Sequence, residues 1–294
     1  MTSSIPVLDG LRDLCADRDG LIIDLWGVLH DGSTAYPGVA EALAAIRAAG
    51  KRTLLLTNAP RLSAPLIATM DGMGLPRDLY DGILSSGDAV HAELQTRTDP
   101  AFAALGPRCW HLGPARDRSV FEGLDAITVV DTPEDADFVL NTGPWSFDET
   151  VADYEDRLTR CRARDLPMVC ANPDREVIRE GRKVICAGAL AVRYTDLGGT
   201  VIERGKPDPA IYDRVLERLG ITDRARVLAV GDGLQTDIKG AAAAGIDAVF
   251  VAGGLYAAPL GLTAYGERPD PARVAALCAA EGQAPLAAIP ALRW

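Results

Sequence analysis

The chain is 294 residues long and carries 41 acidic against 30 basic side chains, a formal charge of −11. That length accommodates two modest domains, or one large domain with an insertion. The charge argues against nucleic acid or an anionic membrane as partner, since both select basic faces; it leaves room for a phosphorylated metabolite met by a metal or a local cation.

Hydrophobic residues make up 48% of the chain and aromatics only 5%, a balance suited to helices packed on a parallel sheet. No apolar run approaches the roughly 20 residues of a membrane span. The opening "MTSSIPVLDGLRDL" lacks the basic segment and long apolar core of a signal peptide. Six cysteines, at 15, 109, 161, 170, 186 and 278, form no CxxC pair. The expectation is a cytoplasmic protein with reduced thiols. His30, His91 and His111 do not cluster with those cysteines at zinc-ligand spacing.

Short apolar runs alternate with longer amphipathic ones, the pattern of βα units. "LIID" (21–24) reads as a buried strand, followed by a helix around 38–49 closed by Gly50. "RTLLLTN" is a second strand ending at Asn58, with a helix over roughly 62–73 after it. "GILSSGDAV" starts as strand and continues as helix. From about 97 the register changes, and a separate set of strands follows in "CWHLG", "AITVV", "DFVLNTG" and "PMVCANPD", with a charged helix near 148–164. After Gly198-Gly199 the first style returns. "KPDPAIYDRVLERLG" is a helix entered through proline, "RVLAVGDG" a strand ending in an acid, "TDIKGAAAAGI" a helix and "AVFVAGG" a buried strand. The Pro/Ala-rich tail reads as a surface helix plus irregular packing. The organisation is α/β: a core of residues 1–96 and 200–294, interrupted by an inserted module at 97–199.

Ligands of open parallel sheets sit at the carboxyl ends of strands, where this sequence places Asp24, Thr57-Asn58, and Asp232 with Asp237. Taken singly, Asp237 is also explained as a helix N-terminal acid, Asp232 as a loop acid and Asp24 as a turn residue. Together, three carboxylates offer a hard cation such as Mg²⁺ the oxygen ligands it needs. Thr57 adds a hydroxyl, and backbone N–H groups near Asn58 can receive a phosphate oxygen. Lys206, between Gly205 and Pro207, adds a cation; a lone lysine is more often a solvated surface charge.

"DLWGVLHDG", "LLLTN", "GKPDP" and "VGDGLQTD" resemble, in order and rough spacing, the four motifs of the haloacid dehalogenase (HAD) superfamily. The insertion between the second and third, with "CANPD" and "GAL", is similar to the large α/β cap of subclass IIA, which includes 4-nitrophenylphosphatase-like, pyridoxal-phosphate and phosphoglycolate phosphatases. The resemblance implies a Rossmann-like parallel-sheet core with a C2-type cap, and Mg²⁺-dependent hydrolysis of a small phosphorylated metabolite. It implies Asp24 as the nucleophile that becomes an aspartyl-phosphate, Thr57 as a hydrogen-bond donor to the transferring group, and Lys206 as the cation that offsets both charges. Asp24 and Asp232 would hold Mg²⁺ through carboxylates, Asp237 directly or through water, and Trp26 through its backbone carbonyl. Asn58, Asn172 and Asp174 are candidate substrate-binding residues, the last two also explained by Asn-Pro-Asp turn chemistry. Trp145 either faces the cleft or is buried in the cap. An apolar cap surface could support a homodimer.

The departure is Trp26. The family's phosphatases carry an aspartate two residues after the nucleophile, to protonate the leaving group and then activate water. An indole N–H donates a hydrogen bond but is no useful acid, and a positioned acid–base group is worth ~10²–10⁴ in rate. Four readings stand: His30 or Asp31 carries the proton instead; the leaving group needs no proton; the bond cleaved is not an ester, C–P ranking above C–Cl; or the chain is a weak or inactive relative that binds phosphorylated ligands.

Overall fold

The computed structural model describes residues 5–294. In chain order the strands are β1 (Gly20–Ile23), β2 (Arg52–Thr57), β3 (Gly82–Ser85), β4 (Arg108–Leu112), β5 (Thr128–Val130), β6 (Phe138–Asn141), β7 (Met168–Cys170), β8 (Glu176–Arg179), β9 (Arg182–Ile185), β10 (Val201–Glu203), β11 (Val227–Gly231), β12 (Asp247–Val251) and β13 (Ala287–Ile289). One sheet has the order β13-β12-β11-β1-β2-β3 and a second the order β10-β7-β6-β4-β5. Their pairings are parallel throughout. The protein is thus α/β, with a parallel-sheet core and a second parallel-sheet cap.

Strand β1 is apolar on both faces because the sheet is covered on both. Leu21 and Ile23 enter one hydrophobic cluster with Leu43, Leu55 and Val230, while Ile22 enters the other with Leu54, Val215 and Ala229. The helix at Val39–Ala48 follows the expected amphipathic pattern and buries Val39, Ala42, Leu43 and Ile46. The helix Pro209–Leu219 begins with Asp208, whose carboxylate accepts from the Ala210 N–H, and with proline at its first position, where no N–H is needed. It stops at Gly220 in the left-handed conformation.

Two boundaries differ from the sequence reading. β10 pairs with β7, so the chain returns to the first sheet only after Glu203 rather than at 199/200. Val201 to Glu203 is too short a run to be assigned to either sheet by pattern alone. The tail is not merely helix and irregular packing: the helix Pro271–Ala280 is followed by β13, the edge strand of the core sheet. Alanine-rich "AAI" carries little strand signal and is recruited by burial against β12.

The sequence reading also omitted the antiparallel hairpin β8–β9. Its register pairs Arg179 with Arg182, leaving the two-residue loop Glu180-Gly181 with φ of 49° and 75°. Two positive φ values are what the twist of a tight hairpin requires. Among the described residues no helix is long and apolar enough to cross a membrane.

Candidate active site

The sheet order brings the site together. β1 has β2 on one side and β11 on the other, so the residues at three strand ends converge where strand order reverses. Asp24 follows β1, Thr57 ends β2, and Asp232 follows β11. Oxygens of Asp24, Asp232 and Asp237 all lie within 4.8 Å of one another, and all three side chains are buried. Lys206 reaches into this group with only 2% of its side chain exposed. Its ammonium donates to Asp24 Oδ1 at 2.6 Å, Asp237 Oδ1 at 2.7 Å and the Leu56 carbonyl at 3.1 Å. It is no surface charge: all three of its donors are used.

The backbone fixes the acids. Asp232 Oδ2 accepts from the Leu255 N–H at 2.7 Å and Asp237 Oδ2 from the Gly233 N–H at 3.0 Å. Gly27 makes room for Asp232: its φ is +81°, and a Cβ there would stand 1.9 Å from Asp232 Oδ2. Gly27→Ala is therefore expected to lower the unfolding free energy by about 1–2 kcal/mol from the left-handed backbone alone, before any clash. Chemical denaturation checks it; an unchanged midpoint would show that the loop relaxes freely.

One lysine faces three buried acids, with Asp174 nearby. Burial first, and then repulsion from Asp237, push the Asp24 carboxyl well above the carboxylate range. The same two causes raise Asp232 to about 7. Hard oxygen donors with excess negative charge form a cluster that can hold a divalent metal, and a bound cation would reverse these shifts.

Thr57 is buried and its Oγ1 accepts from the Ala59 N–H at 3.2 Å. Asn58 ties the site to the second module. Its Oδ1 accepts from the Lys206 N–H at 2.8 Å, and its Nδ2 donates to the Lys206 carbonyl at 3.0 Å and to Asp174 Oδ1 at 2.9 Å. Asn172 caps the turn by accepting from the Asp174 N–H at 3.0 Å, yet it also lines the large cavity described below. Trp145 stacks on Tyr154 at 5.2 Å and does not line that cavity.

Trp26 is occupied structurally. Its indole Nε1–H donates to the Ile178 carbonyl of β8 at 2.6 Å, which bonds the core loop to the hairpin of the second module. The ring meets His30 edge-on at 5.6 Å. Gly32, at φ +91°, gives it space: a Cβ would lie 2.3 Å from the ring.

Each of the two alternative proton carriers is engaged within its own loop. His30 Nδ1 accepts from the Gly32 N–H at 3.0 Å, and burial lowers the imidazole to about 4, so the ring is neutral at physiological pH. The Asp31 carboxylate closes a turn, accepting from the N–H groups of Ser33 and Thr34 at 2.9 and 2.8 Å. Those bonds hold it below the usual carboxylate range against the opposing effect of burial, and a permanently ionised acid donates no proton.

Two cavities flank Trp26 and Asp174. A space of about 30 Å³ is lined by Asp24, Asp232, Asp237 and Ile178 among others. A space of about 420 Å³ runs between core loops and the second module, past Thr57, Met70, Phe147 and Val184. Arg61, Arg116 and Arg179 also line it. The sequence reading named none of these, because no spacing joins three arginines that only the fold assembles.

Clustered acids and a buried lysine thus meet at parallel strand ends beside a second α/β module, the arrangement of a capped α/β enzyme. The chain belongs to the haloacid dehalogenase superfamily of hydrolases, subclass IIA. The family described as haloacid dehalogenase-like hydrolase matches residues 21–126, and that described as HAD-hydrolase-like matches residues 203–277. A haloacid dehalogenase-like hydrolase from Brucella suis is 36% identical, with 97% of this chain and 99% of that chain covered and a TM-score of 0.82. Glycerol-3-phosphate phosphatase of Homo sapiens is 29% identical over 82% of this chain and 81% of its own length. Glycerol phosphate phosphatase from Mycobacterium tuberculosis, solved in complex with magnesium, is 26% identical, covers 82% of this chain and 70% of that chain, and has a TM-score of 0.62.

Proposed function

We propose that the protein is a Mg²⁺-dependent phosphohydrolase of a small phosphorylated metabolite, acting through an aspartyl-phosphate on Asp24. The observation that carries this reading is the convergence of Asp24, Asp232, Asp237 and Lys206 at one buried point. Asp24 attacks phosphorus with a carboxylate oxygen, the bond to the leaving oxygen breaks, and water later releases phosphate. Lys206 holds Asp24 in line and offsets charge, and the Thr57 hydroxyl donates to the transferring group. Asp24, Asp232 and the Trp26 carbonyl would hold Mg²⁺, with Asp237 completing the shell. The metal supplies charge neutralisation at the phosphoryl oxygens, which is the larger part of catalysis in phosphoryl transfer. The segment from about 97 to 203 acts as the lid that excludes water.

Among the four readings of Trp26, the neutral His30 and the turn-bound Asp31 favour a substrate whose leaving group needs no proton. Phosphate esters of acidic alcohols, or mixed anhydrides, meet that requirement. The intact cation-binding acids favour this over an inactive relative, which has no use for them.

Calorimetric titration with Mg²⁺ is expected to show one site per chain, and Asp232→Ala to weaken it at least tenfold, the loss of about 1.4 kcal/mol or more that removing a charged ligand implies. Hydrolysis of 4-nitrophenyl phosphate should stop in EDTA and return with Mg²⁺. Equal affinity in the variant would remove Asp232 from the metal shell, and EDTA-insensitive turnover would overturn the metal requirement.

A further inference from the structure

The arginine-lined wall of the 420 Å³ cavity has no part in the chemistry above, and it is an anomaly of charge. In a chain of net charge −11, Arg61, Arg116 and Arg179 line one space. Burial makes the charge on Arg61 harder to hold; Asp117 opposes that effect, and the nearby Arg116 and Arg179 add to it. Phe147 sits between the other two, with the guanidinium carbons of Arg116 and Arg179 at 4.6 and 4.4 Å from its ring centre. Such stacking fixes a guanidinium plane without using its N–H edges, although Arg179 Nη1 also donates to the Gly32 carbonyl at 3.4 Å.

Two acids pair with the three arginines of this wall. Buried Asp117 lies 3.4 Å from Arg61 and 4.0 Å from Arg116, and Glu180 lies 3.6 Å from Arg179 at an exposed position. Burial raises Asp117 to about 6, which leaves it largely ionised at neutral pH. Arg61 Nε is buried; it lies 3.4 Å from Asp117 Oδ1 but makes no hydrogen bond among the described residues. A ligand oxyanion offers that donor the hydrogen bond that the Asp117 carboxylate does not make.

The rest of the lining combines apolar side chains, among them Leu66, Met70, Met73 and Val184, with polar ones that include Asp117, Asn172 and Asp174. Trp26 and Asp174 line both this space and the small one at Asp24. A molecule with its phosphoryl group at Asp24 therefore extends past them into the larger cavity. Its volume is within the range of small-ligand sites.

We propose that Arg61, Arg116 and Arg179 bind a second oxyanion of the substrate, carried on the leaving group across an apolar spacer. The protein's substrates are then phosphorylated metabolites with a carboxylate or second phosphate-like group, rather than neutral polyol phosphates. This inference rests on the phosphohydrolase reading and specifies the substrate class of that same site.

The test compares three aryl phosphates of similar size, the 4-carboxyphenyl, 4-phosphonophenyl and 4-carbamoylphenyl esters, with Mg²⁺ present. One of the two anionic esters is expected to exceed the neutral amide in kcat/KM by roughly ten- to hundredfold, the worth of a charge-assisted hydrogen-bonded pair. The two anionic arms tell which oxyanion fits. In Arg61→Gln and Arg116→Gln the ratio of anionic to neutral ester should fall towards one, and it should shrink with salt. The same comparison is made by calorimetric binding to Asp24→Asn, which needs no turnover. Anion-selective, arginine-dependent binding without hydrolysis of any ester would sustain this inference and overturn the phosphohydrolase reading. Hydrolysis of all three esters at equal efficiency, with unchanged ratios in the arginine variants, would overturn this inference and leave the phosphohydrolase reading standing.

Discussion

Asp24→Asn should reduce phosphate release by about 10⁴-fold or more, the scale on which loss of a nucleophile acts. The amide keeps the shape of the carboxylate, and its oxygen can still accept from Lys206, which also retains Asp237 and the Leu56 carbonyl. The loss is therefore chemical rather than a consequence of misfolding. The same substitution should raise the thermal midpoint of metal-free protein. The Asp24 carboxyl is held well above its ordinary value by burial and by Asp237, so keeping it ionised above the unfolded value opposes folding. A neutral amide removes that opposition, and the gain should fade as the pH drops below about 4, where the unfolded carboxyl is itself protonated. Single-turnover phosphate release, intact-mass detection of the phosphoenzyme and thermal melts in EDTA are the measurements. Turnover within tenfold of the wild type would remove Asp24 as nucleophile, and a lowered midpoint would show that its charge stabilises the fold through Lys206.

Loss of activity with gain of stability is expected where like charges are gathered for function rather than for folding. Asp24, Thr57 and Asp232 were legible in the sequence because each sits at the end of an apolar run and a parallel sheet gathers such ends, whereas Asp237 and Lys206 were named from their motifs. The neighbours of β1 then decide which ends meet, and the observed order β11-β1-β2 selects those that carry Asp232, Asp24 and Thr57. Asn58 was named for its backbone, yet its side chain links Lys206 to Asp174 of the second module. That link depends on the docking of two modules, which no local pattern encodes. The hairpin β8–β9 was missed because "EVIREGRKVI" is short and charged, although its Glu-Gly turn was readable in principle. The arginine wall was illegible for the same reason as the hairpin's partner Trp26. Both are products of what the second module places against the core, whereas the core itself follows from periodicity.

Trp26→Asp is the second large effect, and its sign separates two accounts of the indole. If Trp26 only fills the place of a missing acid, the aspartate restores proton donation and alkyl phosphates gain up to ~10²–10⁴ in rate. The geometry favours the opposite outcome. The indole N–H satisfies the Ile178 carbonyl, the ring packs on His30, and Gly32 is shaped around it. Removing it unpairs a polar atom, at a cost of about 1–3 kcal/mol, and takes away a side chain that lines both cavities. It also adds a carboxylate to a site where Asp24, Asp232 and Asp237 already face one lysine. We therefore expect 4-nitrophenyl phosphate turnover to fall by roughly 10–100-fold, the rate equivalent of losing about 1.4–2.8 kcal/mol of positioning, with no gain on alkyl phosphates. Trp26→Phe, which keeps a ring but not the donor, should cost about tenfold or less through the lost bond to the hairpin. Single-turnover phosphorylation must accompany steady state, because an aspartate at 26 would also speed hydrolysis of the intermediate. A hundredfold rise on alkyl phosphates, with the nitrophenyl ester held at wild-type rates, would show that the indole is a placeholder and not the latch that its bond to Ile178 describes.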